Sequence, residues 1–322
     1  MWNYMTPKAH DEFLLSLNLV KETDVKKVKK ILYTLSNNVV KNYKEFTIKK
    51  RSGKRRKICE PSKALKHVQR NILRNVLAER KISNHAKAYK TGVSLRDNAL
   101  EHVGKKLVLK LDIKDFFNNI SFTKVYESCF PITMYPKDIG MLLTNLCTYE
   151  ETLPQGAPTS AFISNLVMRG FDEEVGNYCK RRSISYTRYS DDMTFSGDFN
   201  PGKMINYVGV KLKEMGFMLN RGKIAVISRK GSQRVTGLVV NERVQVPKNI
   251  RRKIRQEIYY IQKYGLDEHL KSVNLINKNK YLTSLLGRIN FVLQINKEDK
   301  EFNKYYKTIY DLIMTGRKNE IR

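Results

Sequence analysis

The sequence predicts an α+β fold in which short strands carry an acidic site and helices with one apolar stripe pack around them. Three observations predict it. Leu107-Val108-Leu109-Lys110-Leu111-Asp112-Ile113 alternates so that Leu107, Leu109, Leu111 and Ile113 share a face, which is the period of a strand. Ile184 to Phe195 is rich in Tyr, Thr and Ile around Ser190-Asp191-Asp192, and reads as a hairpin with acids at its tip. Beyond Pro247, Ile250, Ile254, Ile258 and Ile261 form a helical stripe beside Lys248, Arg251, Arg252, Lys253 and Arg255.

The remaining elements follow in order. Residues 1–45 read as a charged helical extension, with Leu14, Leu17, Val25, Val28, Ile31, Leu32 and Leu35 at helical spacings. Lys49-Lys50-Arg51-Ser52-Gly53-Lys54-Arg55-Arg56-Lys57 places basic residues around a Ser-Gly turn signal, which suits a basic hairpin. After Pro61, Leu65, Val68, Ile72, Leu73, Val76 and Leu77 predict a helix whose other face carries Lys63, Lys66, Arg70 and Arg74. Residues 122–150 read as mostly helical. Leu153-Pro154-Gln155-Gly156-Ala157-Pro158 then breaks the chain before one apolar helix from about Ala161 to Tyr178. Met204 to Met215 is helical in pattern, and Leu219-Asn220-Arg221-Gly222-Lys223 leads into a strand at Ile224 to Ile227. Arg234 to Val240 and Val244 to Val246 flank Asn241-Glu242 as a second hairpin.

Composition narrows the partners. With 322 residues and 41% apolar content the chain can bury a real core. Its 61 Lys+Arg against 31 Asp+Glu give a formal charge of +30, which favours a polyanion, nucleic acid first and anionic membrane second. No apolar run approaches the roughly 20 residues that cross a bilayer, and Asp11 and Glu12 precede Phe13-Leu14-Leu15 where an export signal would be basic. The cytoplasm is the expected compartment. Cys59, Cys129, Cys147 and Cys179 are too scattered for a zinc site or a disulfide framework, and are expected to be core thiols.

An Asp-Asp pair alone is usually a solvated turn. Asp191 and Asp192 gain weight from Asp112, which the alternation turns away from the core at the end of a strand. Acids from separate chain segments are what phosphoryl transfer needs when two Mg²⁺ ions, about 3.5–4 Å apart, bracket the attacking and leaving oxygens. Mg²⁺ is usually held by one or two carboxylates plus substrate phosphates, so three aspartates and a nucleoside triphosphate suffice.

In the order basic hairpin, LDIKDFF, LPQGAPTS, YSDD, LNRGK and a terminal run of helices, the chain from about Phe46 onward resembles a reverse transcriptase. The resemblance implies a right-hand polymerase with fingers, a palm of antiparallel sheet plus helices, and a helical thumb. It divides the chain into the extension (1–45), fingers and palm (46–246) and thumb (247–322). It implies that Asp112, Asp191 and Asp192 bind the catalytic Mg²⁺ ions, two in number and replaceable by Mn²⁺, with the Ile113 carbonyl as a further ligand. Phe117 corresponds to a steric gate against ribonucleotides, which implies deoxynucleoside triphosphates as substrates. Gln155 and Gly156 correspond to residues beside the incoming nucleotide, Lys223 to a lysine near its triphosphate, and Lys54, Arg56 and Arg70 to looser phosphate contacts. Core packing for Phe117, a strand-edge charge for Lys223 and a turn role for Gln155 are the bland alternatives.

Asn98-Ala99-Leu100-Glu101-His102 and Val235-Thr236-Gly237 resemble the Asn-Ala-x-x-His and Val-Thr-Gly elements of retron reverse transcriptases. Ser190 departs from the alanine more usual there. This narrower resemblance implies binding of one structured noncoding RNA that is both template and primer, priming from an RNA 2′-hydroxyl, and a branched RNA–DNA product (msDNA). It further implies a bacterial anti-phage role with a separate effector protein. Asn98, His102, Val235, Thr236 and Gly237 are the corresponding RNA-binding or family-marking residues. No RNase H or endonuclease segment is expected. Another bacterial reverse transcriptase, of an intron, a diversity-generating element or a different defence system, and a noncatalytic RNA-binding scaffold remain the alternatives.

Overall fold

The computed structural model describes residues 5–49, 53 and 55–320. The chain divides into two compact units, the first comprising residues up to Val93, Leu109–Phe195 and Phe199–Val226. The second comprises Ser94–Val108, Ser196–Asp198 and the chain from Ile227 on.

In the first unit α1 (Pro7–Ser16) is capped by the Thr6 hydroxyl and α2 (Val25–Asn37) by the Asp24 carboxylate, each accepting from a free first-turn N–H. The basic hairpin forms as β1 (Tyr43–Lys49) against β2 (Arg55–Pro61), antiparallel from Tyr43↔Pro61 to Lys49↔Arg55. Most of its tip, Lys54 included, lies outside the described residues. Ser62 caps α3 (Lys63–Asn71), which runs on as a wider, π-type turn over Ile72–Leu77. The chain passes through α4 (Leu95–Leu100), in the second unit, and returns as β3 (Leu107–Asp112). Next come α5 (Phe122–Cys129) and α6 (Lys137–Cys147), then α7 (Ser160–Val167) and α8 (Arg169–Lys180) where one helix was expected. The stripe is continuous, but Met168 sits at ψ −1°, which interrupts the helix locally without interrupting the apolar pattern.

Strands β4 (Ser185–Tyr189) and β5 (Asp192–Gly197) form the acid-tipped hairpin; α9 (Pro201–Glu214) and β6 (Ala225–Ser228) follow. The sheet order is β4-β5-β3-β6, so the hairpin lies beside the strand that ends in Asp112. Tyr186 and Phe195 stack at 4.8 Å across the hairpin, and both are buried. All four cysteines are buried and free, as expected.

In the second unit β7 (Arg234–Val235) pairs antiparallel with β8 (Leu238–Val239). The sharp turn falls at Thr236-Gly237 rather than only at Asn241-Glu242. Both turn residues are left-handed, φ 46° and 86°, the requirement of a primed hairpin turn that glycine meets without steric cost. A looser bridge, Val239↔Gln245, does close around Asn241-Glu242. Helices α10 (Lys248–Tyr264), α11 (Leu266–Ser272), α12 (Lys278–Ile295) and α13 (Lys300–Glu320) complete the unit. Its core includes Val235, Leu238, Ile254, Ile258, Leu285, Ile289 and Phe302. Among the described residues no helix is long and apolar enough to cross a membrane.

Candidate active site

Strand order brings the three acids together. Asp112 closes β3, and Asp191 and Asp192 sit at the turn between β4 and the neighbouring β5. The Ile113 N–H donates to the Asp191 carbonyl at 3.0 Å, tying the hairpin tip to the end of β3. Asp112 does not project into solvent as the alternation suggested. Its side chain is 4% exposed because the turn after α9 covers it: Asn220 Nδ2 donates to Oδ1 at 3.0 Å and Lys223 Nζ to Oδ2 at 2.5 Å. The Asn220 N–H also donates to the Asp112 carbonyl at 2.8 Å.

The electrostatics of the cluster are unbalanced. Burial, then the charge of Asp112, raises the Asp191 carboxyl above its usual range, against a backbone N–H bond, Lys223 and Arg56. Asp192 is raised by burial and by Asp191 and Asp112, against Lys110 and Lys223. Lys223 is raised too: its bond to Asp112 and the nearby acids outweigh burial. Buried carboxylates that repel one another accept a cation readily. The oxygens the cluster offers are carboxylates, hard ligands of the kind Mg²⁺ takes, and the Lys223 ammonium already stands on one of them. Among the described residues no three His, Cys, Asp or Glu side chains converge as a ready-made cage. A bound divalent ion would therefore complete its shell with water and substrate phosphates, as Mg²⁺ ordinarily does.

The hairpin turn rests on a buried network. Arg188 and Asp172 are both fully buried and bond at 2.6 Å, and Arg188 Nη1 donates to the Ser190 carbonyl at 2.9 Å. Burial opposes the charge on Arg188, but Asp172 more than restores it. The Tyr89 hydroxyl donates to Ser190 Oγ at 3.3 Å. None of these supporting residues was identified from the sequence. Asp172 did carry a signal, since it lies on the apolar stripe of α8 with Val175 and Cys179, where a charge requires a partner.

The other expected site residues fall into groups. Phe117 is half-buried, edge-on to Phe116 at 5.4 Å, with part of its ring open. Gln155 is half-buried, and its carbonyl accepts the Cys59 N–H at 2.9 Å, so the Pro-Gln-Gly-Ala-Pro turn packs on β2. A Cβ at Gly156 would stand 2.7 Å from the Cys59 carbonyl oxygen, so this contact needs glycine. Arg56 is exposed and its charge reaches Asp191; Arg70 is exposed on α3.

In the second unit the two short motifs meet. Asn98 Nδ2 donates to Thr236 Oγ1 at 3.3 Å, and His102 shares a 2.7 Å hydrogen bond with the Ser196 hydroxyl. Asn98, His102 and Val235 are buried, so as direct RNA contacts they are closed in this conformation; Thr236 and Gly237 are the open members. The same unit holds a cleft of about 670 Å³ lined by Arg96, Arg243, Lys248, Arg251, Arg252 and Arg255 above apolar residues such as Val244 and Ile295. Asp299 pairs with Arg251 and Glu301 with Arg255.

With this geometry in place, residues 48–284 match the family described as reverse transcriptase (RNA-dependent DNA polymerase). The chain is 33% identical over 220 residues to the retron Ec83 reverse transcriptase of Escherichia coli, covering 64% of this chain and 70% of that one. It is 32% identical over 282 residues to the retron Mx65 reverse transcriptase of Myxococcus xanthus, covering 81% of this chain but 63% of the relative's length. It is 28% identical over 261 residues to the retron Ec86 reverse transcriptase of Escherichia coli, covering 80% of this chain and 77% of that one. Among solved structures, a telomerase from Candida albicans in complex with a telomeric RNA fragment superposes with a TM-score of 0.46 at 13% identity, over 87% of this chain and 67% of that one.

Proposed function

We propose, on the premise that the chain belongs to the retron reverse transcriptase family, that it is an RNA-directed DNA polymerase copying part of a structured noncoding RNA into single-stranded DNA. The observation that carries the reading is the triad of buried Asp112 and half-buried Asp191 and Asp192, whose two segments are bonded to each other through Ile113 and whose charges lack full compensation.

Asp112, Asp191, Asp192 and the Ile113 carbonyl would hold Mg²⁺, two ions in this reading, which when bound would supply Lewis acidity to the phosphoryl group being transferred. The protein's own residues orient the rest. Lys223, whose ammonium stands on Asp112, would reach toward the triphosphate, and Arg56, with Lys54 and Arg70 as looser contacts, would neutralise phosphate charge. Gln155 and Gly156 border the nucleotide. Phe117 packs where a ribose 2′-hydroxyl would sit, favouring deoxynucleotides.

Residues 46–246 serve as fingers and palm, 247–322 as thumb and 1–45 as a helical extension. The RNA is both template and primer, started from a 2′-hydroxyl, so the product is a branched RNA–DNA molecule (msDNA). The basic cleft of the second unit contacts its backbone, and the pairing of Asn98 with half-buried Thr236 supports the turn that exposes Gly237. A bacterial cytoplasmic setting, and anti-phage defence through a separate effector protein, complete the reading.

The test is reconstitution of the protein with the structured RNA encoded beside its gene, deoxynucleotides and Mg²⁺, followed by mapping of the primer linkage. A 2′-linked DNA is expected. A linear DNA-primed product would assign the chain to another class of reverse transcriptase, and no product with any metal or template would sink the polymerase reading.

A further inference from the structure

Two-residue hairpin loops favour primed turns, whose first loop residue takes positive φ and is by preference glycine. Between β4 and β5 that place belongs to Ser190, at φ 63°. A side chain in this region is strained and persists only where its surroundings over-determine it. The surroundings centre on Arg188. Its Nη1 donates to the Ser190 carbonyl at 2.9 Å, while Nε and Nη2 grip Asp172 at 2.8 and 2.6 Å and Nη2 also reaches Asn165 Oδ1 at 3.2 Å. Asp172 accepts the Tyr186 hydroxyl at 2.8 Å, so both its oxygens are engaged. The arginine's backbone is tied as well: its N–H donates to the His85 carbonyl and its carbonyl accepts the Lys87 N–H, each at 2.8 Å.

Asp191 is thereby held from both sides. The carbonyl preceding it belongs to Ser190 and is fixed by Arg188; its own carbonyl is fixed by the Ile113 N–H at 3.0 Å. Stability does not account for this arrangement, because replacing a buried ion pair by apolar residues of similar volume is often neutral or stabilising. Direction does. A guanidinium presents its donors in one rigid plane, so it can grip a carboxylate and aim another N–H at a carbonyl, which the single ammonium of lysine cannot reproduce.

We propose that Arg188, oriented by Asp172, is a positioning residue for nucleotidyl transfer, setting the Ser190–Asp191 peptide and with it the direction in which the Asp191 carboxylate is presented. This rests on the reading of Asp191 as a catalytic carboxylate.

The experiment uses the full chain on a poly(rA) template with an oligo(dT) primer, dTTP and Mg²⁺. Arg188→Lys keeps a cation beside Asp172, and the double substitution Arg188→Met with Asp172→Leu removes both charges and keeps the volume apolar. Both are expected to unfold cooperatively as wild type does, while kcat falls on the order of 10²-fold, the cost of misplacing a reacting group by about 1 Å. The KM for dTTP stays within about threefold, and half-saturating Mg²⁺ rises, because the loss is in presentation of the carboxylate rather than in uniform binding. Wild-type kcat in a folded variant overturns the proposal. So does a rate lost in both variants only together with the cooperative transition, which would make the pair plain core. Wild-type protein that extends no primer on any template overturns the catalytic reading of Asp191 and this proposal with it, and does so without any substitution.

Discussion

Asp172 and Asp191 are both aspartates of the first unit drawn in from water, the first fully and the second in part, yet they are treated in opposite ways. Asp172 has Arg188 across a 2.6 Å bond and a tyrosine hydroxyl on its other oxygen, so its charge is matched within the fold. Asp191 is pushed above its usual range by burial and by Asp112, with Lys223 and Arg56 answering only in part. The first arrangement completes a structure; the second leaves room for a cation. Local protein stability is given up where function needs unbalanced charge.

The largest expected effect tests that difference directly. Asp191→Asn should reduce polymerisation by about 10³-fold or more, in line with losses on removing one electrostatic stabiliser of a transition state. The sign for stability is opposite. A carboxyl whose folded value is raised binds more protons folded than unfolded between the two values, so it costs stability at neutral pH and that cost vanishes as pH falls. Asp191→Asn should therefore raise the Tm measured in chelator. An unchanged or lower Tm would show that Asp191 is compensated after all.

Asp172→Asn should do the reverse, lowering stability by about 3–5 kcal/mol, because it strands the buried Arg188 charge. Denaturant titration reads this. A variant as stable as wild type would erase the distinction between the two aspartates.

Phe117→Ala should cut discrimination against ribonucleotides on the order of tenfold or more while leaving deoxynucleotide incorporation in place, as expected when a pocket loses a steric contact. Paired incorporation assays decide it, and unchanged discrimination removes the gate.

Acid titration extends the comparison to the second unit. There, burial alone would raise Glu257, but the Arg288 fork at 2.6–2.7 Å and the Tyr281 hydroxyl hold it below its usual range. The bond to Arg255, against burial, holds Glu301 low as well. A depressed carboxylate contributes stability above its unfolded value that is lost as pH falls through the folded one. Asp191 and Asp192, being raised, gain protons first. Activity should thus fall on acidification while the circular dichroism stays native, and coincident loss of both would sink the assignment. The smallest effect is expected from Arg252→Ala in the basic cleft, which should weaken RNA binding uniformly and reduce the salt slope by about one.

Much of this was legible beforehand, for identifiable reasons. Period-2 alternation located β3, and Tyr, Thr and Ile around two acids located the β4–β5 hairpin, because each pattern is local and repeats within a few residues. The stripe of Ile254, Ile258 and Ile261 located α10 in the same way. The break at Met168 was hidden because an apolar stripe records which face is buried and not whether every turn is regular. The turn at Thr236-Gly237 was overlooked inside a run of valines and leucines that reads as continuous strand. Asp112 looked free because alternation names the face of a side chain, and only the turn after α9 reveals that Asn220 and Lys223 cover it.

The sequence by itself determined which acids could act and on which elements they ride, since residue type and periodicity are properties of short segments. Tertiary structure alone decided which aspartate is neutralised and which is left short of positive charge. Attraction and desolvation inside a protein depend on distances of a few ångströms between segments far apart in the chain. Arg188 could have served either acid, and the packing of β4 on α8 aimed its carboxylate grip at Asp172.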